Sequence, residues 1–457
     1  MRKHGPWRSA VKLGLLLIAG AVSAPAPAAP GALLGAPIAL PNAEEVAQAE
    51  VAQVADGRFV ALWHINGVDG YEQLLARVYK ADGTPATAAV TVYEFTGSTE
   101  YGGANDAAVA AYPGGFVVTW TVNPTGGQHM LSGQRFALDG SAKGTPTVFA
   151  QNPSACFSAP GLAINAAGAF VVSWRTSTGD GDGTNCFSGG STVQMLAQSY
   201  NADGSAHSQP LLVYSGADNG GEDWEYGCIP ETVCLIGGQI RHTRSGSAIA
   251  IDGQGDFVVA WTHGYAFGVC PLSLTCLGPA GADVLARRYH ANGTPFGLLT
   301  FVDHTFDNYY WITDPAVAMA ADGSWVISWR AGNNALKPQM TVYAQRYGTN
   351  GQPSGLRVTV GSAQEIDPIF HVPPSVAMAD NGTFAIAWGD YTGGANAWDV
   401  LRARLYSAAG APLSNAVDVA PLASWSPDPV VSMDAQGNFV VAYETGAGAA
   451  VQRLSGP

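Results

Sequence analysis

The stretch Gly168-Ala-Phe-Val-Val-Ser-Trp174 decides the fold of this chain, because close variants of it recur along the sequence. Its core is an aromatic residue, three small or apolar residues and a second aromatic residue. This core occurs seven times, each time shortly after a glycine, at residues 59–63, 116–120, 170–174, 257–261, 325–329, 384–388 and 439–443. A repeat of this kind indicates one supersecondary unit that is stacked many times.

Each copy belongs to a unit with the same order of parts. The sixth unit predicts strands at 375–378, 384–388, 400–406 and 416–419, with a tight turn at Asp380-Asn-Gly382 between the first two. The third strand has the pattern Ala-Arg/Gln-x-aromatic, and an Asp-Gly or Asn-Gly turn follows it in several units. The second strand is apolar at nearly every position, so we expect both of its faces to be buried between neighbouring sheets.

Four antiparallel strands per unit, stacked side to side, predict an all-β protein with the architecture of a seven-bladed β-propeller. The last unit has three strands and then ends, whereas residues 31–42 look like a lone fourth strand. We expect this strand to complete the last blade beside residues 449–454 and to close the ring, which removes exposed strand edges. The predicted blades are approximately 45–93, 105–149, 158–214, 245–303, 314–361, 373–421, and 427–457 together with 31–42.

The repeat resembles one that is common in secreted bacterial surface proteins. In that repeat a glycine, Phe-Val-Val-x-Trp, a variable loop, Val-Tyr-Ala-Gln-Arg-aromatic and Asp-Gly follow one another, and residues 342–347 match the Val-Tyr-Ala-Gln-Arg-aromatic part. The resemblance covers nearly the whole chain after residue 28. It implies an extracellular, adhesin-like protein and brings no catalytic residues with it.

The N-terminus has the features of a secretory signal peptide. Four basic residues precede or flank the apolar run 13–22, which is too short to span a bilayer. Ala26-Pro27-Ala28 fits a small-x-small cleavage site, so we predict a signal peptide at 1–28 and a single propeller domain at 29–457. The mature protein is then expected to be secreted or periplasmic, without a membrane span.

The chain is acidic, with a formal net charge of -14. Removing Arg2, Lys3, Arg8 and Lys12 with the signal peptide leaves 17 basic residues against 35 acidic ones, a net charge of -18. Such a charge repels phosphate backbones and therefore argues against a nucleic-acid partner. It is compatible with neutral sugars, cations or basic proteins, and equally with plain solubility.

Length variation is concentrated on one face of the predicted ring, where the loops between second and third strands and the linkers between blades lie. We call it the loop face, and the opposite face, with its short hairpins, the turn face. The long segments are 175–192, 215–244 and 262–282. Variable loops on a rigid scaffold are where binding sites are usually found.

All six cysteines fall in or beside these long segments. An even number of cysteines in an exported protein predicts disulfides, and six allow 15 connectivities. Pairs that lie within one loop or one blade are favoured, and a zinc site is the alternative. The favoured pairs are Cys156–Cys186, Cys228–Cys234 and Cys270–Cys276.

The linkers on the loop face combine aromatic rings with carboxylates. Rings stack on the apolar faces of sugars and carboxylates accept hydrogen bonds from hydroxyls, so the combination suits carbohydrate recognition. The competing interpretation is that the rings fill gaps between blades. The candidate ligand-binding residues are Asp223, Trp224, Tyr226, His304, Asp307, Tyr310, Trp311, Asp367, His371 and Trp425.

One loop partly matches a calcium-binding pattern. Asp180-Gly-Asp182 starts a run of alternating oxygen ligands, but Cys186 and Ser191 stand where later ligands would be needed. We therefore expect no cofactor, with calcium near Asp180 and Asp182 as the alternative.

No established catalytic motif occurs in the sequence. His64, His263, His304 and His371 are all expected on the loop face, but their positions in the sequence do not show whether they meet a carboxylate. The leading hypothesis is a secreted, non-catalytic propeller that binds an extracellular glycan or protein through the disulfide-braced loop face of blades 3 to 5. The alternatives are a polysaccharide hydrolase or lyase with acid–base residues at the channel mouth, and a purely structural envelope protein.

Overall fold

The structure, a computed structural model, has strands as its only regular elements in the part of the chain that it describes. The described residues are 28–41, 46–66, 71–96, 104–123, 127–177, 191–218, 234–236, 240–241, 249–268, 280–305, 310–333, 339–364, 372–390, 400–421, 429–445 and 448–457.

Seven antiparallel sheets follow one another along the chain, each built outward from an innermost strand. Blade 1 contains β2 (Val46–Gln53), β3 (Phe59–Asn66), β4 (Tyr71–Tyr79) and β5 (Val90–Thr96). Blade 2 contains β6 (Ala104–Tyr112), β7 (Gly115–Val122), β8 (His129–Phe136) and β9 (Thr147–Asn152). Blade 3 contains β10 (Cys156–Ile164), β11 (Phe170–Ser177), β12 (Ser191–Tyr200) and β13 (Leu211–Asp218).

The remaining blades continue the series. Blade 4 contains β14 (Cys234–Ile236), β15 (Ile240–Arg241), β16 (Ile249–Ile251), β17 (Phe257–Gly268), β18 (Ala280–Tyr289) and β19 (Pro295–Thr305). Blade 5 contains β20 (Tyr310–Met319), β21 (Trp325–Asn333), β22 (Gln339–Tyr347) and β23 (Val358–Gln364). Blade 6 contains β24 (Ser375–Met378), β25 (Phe384–Asp390), β26 (Val400–Tyr406) and β27 (Val417–Pro421). Blade 7 contains β28 (Val430–Met433), β29 (Phe439–Thr445), β30 (Gly448–Leu454) and β1 (Ile38–Ala39).

The predicted seven-bladed propeller and its closure by the N-terminal strand are confirmed. β1 pairs with β30 in antiparallel register, with Ile38 opposite Val451, and Leu33 forms a further bridge to Leu454. Ser455 extends this seam, because its hydroxyl donates to the Ala29 carbonyl at 2.5 Å. The two ends of the chain therefore form one blade, and the ring has no unpaired seam at this point.

The first aromatic residue of the repeat forms a cross-strand pair with the aromatic residue that ends the third strand. Phe59 stacks on Tyr79 with ring centroids 5.0 Å apart, and Trp325 on Tyr347 at 3.9 Å. Blades 2, 3, 4 and 6 repeat the same stack. In blade 7 the partner of Phe439 is Leu454, so an aliphatic side chain takes the same position. These pairs hold the second and third strands together near the turn face.

The second aromatic residue of the repeat contacts the preceding blade. Trp120 packs on Tyr93 of blade 1 at 5.5 Å, and Trp261 on Tyr214 of blade 3 at 6.3 Å. In blade 6 the backbone of Gly361 from blade 5 lies so close to Trp388 that a methyl group at Gly361 would come within 2.6 Å of the indole nitrogen. The repeat phrase thus encodes both the packing within a blade and the packing between blades.

The central channel is lined by the innermost strands of all seven blades and encloses about 240 Å³. Most of its lining is alanine, valine, isoleucine, leucine and methionine, and the polar exceptions are Glu50, Gln53 and Ser432. Glu50 is buried and accepts a hydrogen bond from Gln48 Nε2 at 3.2 Å.

Blade 4 differs from the sequence-based expectation. Its innermost position is shared by three short strands, β14, β15 and β16, which all pair with β17. β14 and β15 lie within 215–244, which the sequence suggested to be a linker throughout. These two strands are only three and two residues long, and they pair with a second strand that is longer than those of the other blades.

Replacing Gly361 by alanine should test the packing between blades. The added methyl group would overlap the Trp388 indole, and overpacking of this kind lowers the free energy of unfolding by about 1–3 kcal/mol. Gly348→Ala is the control, because the nearest atom there is the Asn350 side-chain oxygen at 3.1 Å. Urea unfolding measures this free energy for both variants. An equally small decrease in the two would contradict the packing scheme.

The ring closure can be tested with two leucines of the N-terminal segment. Leu40 is 3% exposed in the core between blades 7 and 1, whereas Leu33 is 44% exposed. Leu40→Ala should lower the free energy of unfolding by about 2–5 kcal/mol, and Leu33→Ala by clearly less. Equal, small losses in chemical denaturation would mean that this segment does not seal the ring.

Candidate functional site

Blade 4 extends further on the loop face than its neighbours do. β17 continues past Trp261 to Gly268, and its end pairs with both β14 and β18. In blade 6 the corresponding strand ends at Asp390, two positions after Trp388. The second strand of blade 4 therefore extends further toward the loop face than the second strands of the other described blades.

Three titratable side chains meet where blade 4 emerges on the loop face. His263 of β17 lies opposite Asp283 of β18, and Asp283 lies opposite His304 of β19. The His304 Nδ1 to Asp283 Oδ1 distance is 2.5 Å, and the His263 Nδ1 to Asp283 Oδ2 distance is 3.6 Å. One carboxylate thus lies between two imidazoles, and we call the three residues the His263–Asp283–His304 cluster.

The cluster combines a buried carboxylate with accessible imidazoles. The Asp283 side chain is 8% exposed, whereas those of His263 and His304 are 29% and 38% exposed. The buried carboxylate accepts a hydrogen bond from His304 Nδ1 and lies near His263 Nδ1, and both rings are partly exposed. A neutral imidazole whose Nδ1 proton is donated to a carboxylate can accept a hydrogen bond at Nε2.

A β-bulge in β19 brings His304 to the cluster. Val284 pairs with Asp303 and Leu285 with Phe301, so Val302 has no partner across β18. The inserted residue shifts the alternation of the strand and turns its last part relative to Phe301. A strand without the bulge would present a different residue to Asp283.

The outermost strand of blade 3 contacts the cluster. The Tyr214 ring lies 5.6 Å from the His263 ring and also contacts Trp261. Burial raises the pKa of Tyr214, so its hydroxyl stays protonated at neutral pH. The cluster is therefore at the seam between blades 3 and 4, with an aromatic wall on the blade 3 side.

Asp303, the neighbour of His304, faces the other way and ties β19 to blade 5. Trp329 Nε1 donates to Asp303 Oδ2 at 2.8 Å, and Arg357 donates to the same oxygen at 3.0 Å. The backbone N–H of His304 also donates to Asp303 Oδ1. Burial, with a contribution from Asp303, raises the pKa of Tyr347 to about 12. His304 is thus held on a strand that is anchored on both sides.

Other histidine–acid pairs lie elsewhere in the ring. His64 Nε2 is 3.3 Å from Glu72 in blade 1, and there the histidine is buried. His290 Nδ1 is 3.1 Å from Asp256 in blade 4, but on the turn face. Neither pair lines the channel, whose described lining has Glu50 as its carboxylate. Among the described residues, then, histidine and carboxylate converge on a blade rather than at the channel mouth.

Most of the predicted ligand-binding residues lie outside the described residues. His304 is described and lies in the cluster. Tyr310 and Trp311 are in β20, but the positions of their side chains are not described. The others lie outside the described residues: Asp223, Trp224, Tyr226, Asp307, Asp367, His371 and Trp425.

Cys156 is the cysteine whose side chain is described, and it is buried and disulfide-bonded. Its predicted partner Cys186 lies outside the described residues, as do Cys228, Cys270 and Cys276, and the Cys234 side chain is not described. The pairing scheme remains a prediction. So does calcium binding near Asp180 and Asp182, which are also outside the described ranges.

The described residues contain no group of three or more His, Cys, Asp or Glu arranged to hold a metal ion. In those same ranges no helix is long and apolar enough to cross a bilayer.

Sequence reasoning missed Asp283 as a member of the site. A signal was available, because His263 follows Trp261 by two positions and Asp283 precedes Leu285 by two. Trp261 and Leu285 are paired across the second and third strands, so His263 and Asp283 must also be paired. The bulge that adds His304 recurs at the same register between the third and fourth strands of blades 1, 2, 3, 5 and 6, so it belongs to the repeated unit.

No protein-family model matches the chain, and no curated protein matches it. Among solved structures it is similar to a protein of unknown function from Dyadobacter fermentans, with 12% identity, a TM-score of 0.43, and coverage of 92% of this chain and 97% of that one. An α-L-arabinanase from Penicillium chrysogenum, solved with arabinobiose, gives 9% identity, a TM-score of 0.39, and coverage of 93% and 98%. An α-L-arabinofuranosidase from Fusarium graminearum, in complex with an iminosugar inhibitor, gives 9%, 0.41, and coverage of 93% and 97%. Because identities and TM-scores are this low, the fold rests on the strand pairing of the chain itself and no function is taken from these matches.

The hydrogen bond between His304 and Asp283 fixes a tautomer that can be measured. A carboxylate only accepts hydrogen bonds, so the contact requires the proton of neutral His304 on Nδ1. Nitrogen-15 NMR of the imidazole should show this tautomer in the native protein and a shift toward the Nε2–H form in Asp283→Ala. An unchanged His304 spectrum in that variant would contradict the geometry of the cluster.

Proposed function

We propose that the protein is a secreted, non-catalytic β-propeller that binds an extracellular ligand through the loop face of blades 3 to 5. The observation that carries this proposal is the His263–Asp283–His304 cluster, where a buried carboxylate orients two partly exposed imidazoles. The cluster lies within the group of blades that sequence variation had indicated. Secretion, the disulfide brace and the adhesin-like character belong to the same proposal.

A neutral glycan is the ligand class that we favour. Sugar hydroxyls donate hydrogen bonds, and a neutral His304 that donates from Nδ1 to Asp283 can accept one at Nε2. Tyr214 supplies an aromatic wall beside His263. The net charge of -14 disfavours polyanionic ligands over neutral ones. A basic protein surface is the other ligand class, and it would use the carboxylates of the loop face.

The surrounding strands hold the cluster in place, which supports a role in recognition. Binding requires that polar groups are held in place before the ligand arrives, because ordering them on binding weakens the affinity. Asp283 lies on the third strand of a regular sheet, and Asp303 ties the end of β19 to Trp329 and Arg357. The polar groups of the cluster are therefore pre-organised.

A glycan array with the mature chain is the direct test, followed by affinity measurements on the best ligand. His304→Ala and Asp283→Asn should each weaken binding by about tenfold or more, because the first removes a hydrogen-bonding group of roughly 1.5 kcal/mol and the second removes the negative charge that orients His304. His290→Ala is the matched control, since it breaks a histidine–aspartate pair of the same blade on the turn face.

The result that would overturn this site is a loss of affinity in His290→Ala that equals the loss in His304→Ala. Full affinity in both cluster variants would also overturn it. Circular dichroism of all three variants separates loss of binding from loss of folding, because the β-sheet signal should be unchanged.

The alternative is a polysaccharide hydrolase or lyase, and one observation favours it. The 2.5 Å contact between His304 and Asp283 is the geometry of a carboxylate that orients a histidine for general acid–base work. Incubation of the mature chain with the polysaccharides that it binds, with assays for reducing ends and for unsaturated products, distinguishes the two functions. Product formation that His304→Ala abolishes would replace the non-catalytic proposal.

A further inference from the structure

A second tyrosine of the ring occupies the same position in its blade as Tyr214 does in blade 3. Tyr214 lies opposite Met195, next to the bulge in the pairing of the third and fourth strands, and Tyr93 lies opposite Leu74 at the same point of blade 1. The matching residues of blades 2, 4, 5 and 6 are Ala150, Asp303, Gly361 and Ala420. Among these six blades, a tyrosine at this position is therefore confined to blades 1 and 3.

Both tyrosines pack on a tryptophan of the following blade. The ring centroids of Tyr93 and Trp120 are 5.5 Å apart, and those of Tyr214 and Trp261 are 6.3 Å apart. Both tyrosines are partly exposed. Burial, with a contribution from Glu72, raises the pKa of Tyr93, so its hydroxyl stays protonated at neutral pH and can donate a hydrogen bond. The seam between blades 1 and 2 thus repeats the aromatic wall of the seam between blades 3 and 4.

A carboxylate and a histidine lie beside Tyr93. Glu72 and Leu74 are two positions apart on β4, so Glu72 shares a face of the sheet with Leu74 and with Tyr93 opposite it. His64 Nε2 of β3 is 3.3 Å from Glu72 Oε2. The His64 side chain is 4% exposed, whereas that of Glu72 is 21% exposed. The histidine is therefore enclosed, and the carboxylate and the phenol are the accessible part of the group.

The packing of the repeat does not require a carboxylate at position 72. Glu72 lies opposite Asn66, the third residue after the tryptophan of blade 1. A partly buried carboxylate costs free energy that an apolar side chain avoids. Blades 3, 4 and 5 have apolar residues in this register, namely Val193, Ala282 and Met340. The carboxylate is therefore particular to blade 1 and is not a property of the repeated unit.

We infer that Glu72 and Tyr93, with His64 holding the carboxylate, form a second saccharide-binding site on the loop face, which we call the blade 1 subsite. The Glu72 carboxylate accepts hydrogen bonds from sugar hydroxyls, and the Tyr93 hydroxyl both donates and accepts them. The partly exposed tyrosine ring adds an apolar surface next to these polar groups. Because the accessible charge is negative, the subsite favours neutral sugars over uronates and sulfated sugars.

The separation of the two seams indicates how long the ligand is. Blades 2 and 3 lie between the blade 1 subsite and the His263–Asp283–His304 cluster. Packed sheets are about 10 Å apart, so two blades separate the sites by about 20 Å. A disaccharide fills one site, whereas a chain of several sugars reaches both and gains affinity from the second contact. The inference rests on the proposed function, because it takes the cluster as the first of the two sites.

Affinities for two probes test the inference, namely the disaccharide and the decasaccharide of the glycan that binds best on the array. Glu72→Gln should weaken decasaccharide binding by about tenfold, because it removes a charged acceptor. Disaccharide binding at the cluster, followed through the imidazole signals of His304, should be unchanged. Tyr93→Phe keeps the ring on Trp120 and removes only the hydroxyl, so it should weaken decasaccharide binding by about fivefold.

Glu94→Gln is the matched control. It makes the same charge change in the same blade, but Glu94 is exposed and lies opposite Gln73, on the other face of the sheet from Glu72. This variant should bind both probes like the native chain, and thermal unfolding of all three variants separates lost binding from lost folding.

Three outcomes would overturn the blade 1 subsite. Unchanged decasaccharide affinity in Glu72→Gln and Tyr93→Phe, together with weaker binding in His304→Ala, would remove the subsite and leave the proposed function standing. Equal losses in Glu72→Gln and Glu94→Gln would mean a general effect of charge. A native chain that binds neither probe would overturn the subsite and the proposed function together.

Discussion

The contact between the second aromatic residue of each repeat and the preceding blade is the constraint on which the ring depends. A blade is a four-stranded sheet with apolar residues on both faces, and it is stable only when both faces are covered. The indole of Trp120 reaches Tyr93 of blade 1, and that of Trp261 reaches Tyr214 of blade 3. Trp329 makes the same contact through a hydrogen bond to Asp303, and Trp388 makes it through close approach to Gly361. The residue that it contacts on the preceding blade varies from one blade to the next. The contacting side chain is a tryptophan in blades 1 to 6 and Tyr443 in blade 7.

Because this contact lies in the body of the blades, the loop face is free to vary. Blade 4 tolerates an innermost position built from three short strands, since Phe257 to Trp261 still pack against blade 3. Its second strand can then extend to Gly268 and carry His263 above the apolar core. The same logic explains why the site lies at a seam between blades. In blade 4 the side chain two positions beyond the tryptophan is His263, which is partly exposed but is still held by strand pairing opposite Asp283.

The sequence was sufficient for the fold because the repeat encodes it redundantly. Seven copies of one phrase specify the second strand, and the unequal ends of the chain specify how the ring closes, as the pairing of Ile38 with Val451 bears out. The site depends on individual residues that the repeat does not specify. Asp283 is one aspartate among many in the sequence, and it becomes part of the cluster through its register with His263. His304 reaches it through a bulge at Val302 that blades 1, 2, 3, 5 and 6 share, so what is particular to blade 4 is the histidine that the bulge presents. Blade 7 illustrates the same limit, because Leu454 fills a position where the other described blades place an aromatic residue.

Blade 4 contains two kinds of histidine–aspartate contact, and their surroundings separate a structural role from a binding role. Asp256 accepts the backbone N–H of Ala291 as well as His290, and the His290 ring packs against Phe296, so this pair closes a turn on the turn face. Asp283 lies between two imidazoles and has no turn to close, because its neighbours on both sides belong to regular strands. A buried carboxylate in a sheet costs free energy unless polar groups form hydrogen bonds or ion pairs with it. Here those groups are His263 and His304, whose side chains are partly exposed. For folding alone, an apolar residue at position 283 would suffice, as Leu285 does two positions further along the same strand. The polar cluster is therefore the feature of blade 4 on which the proposed binding role rests.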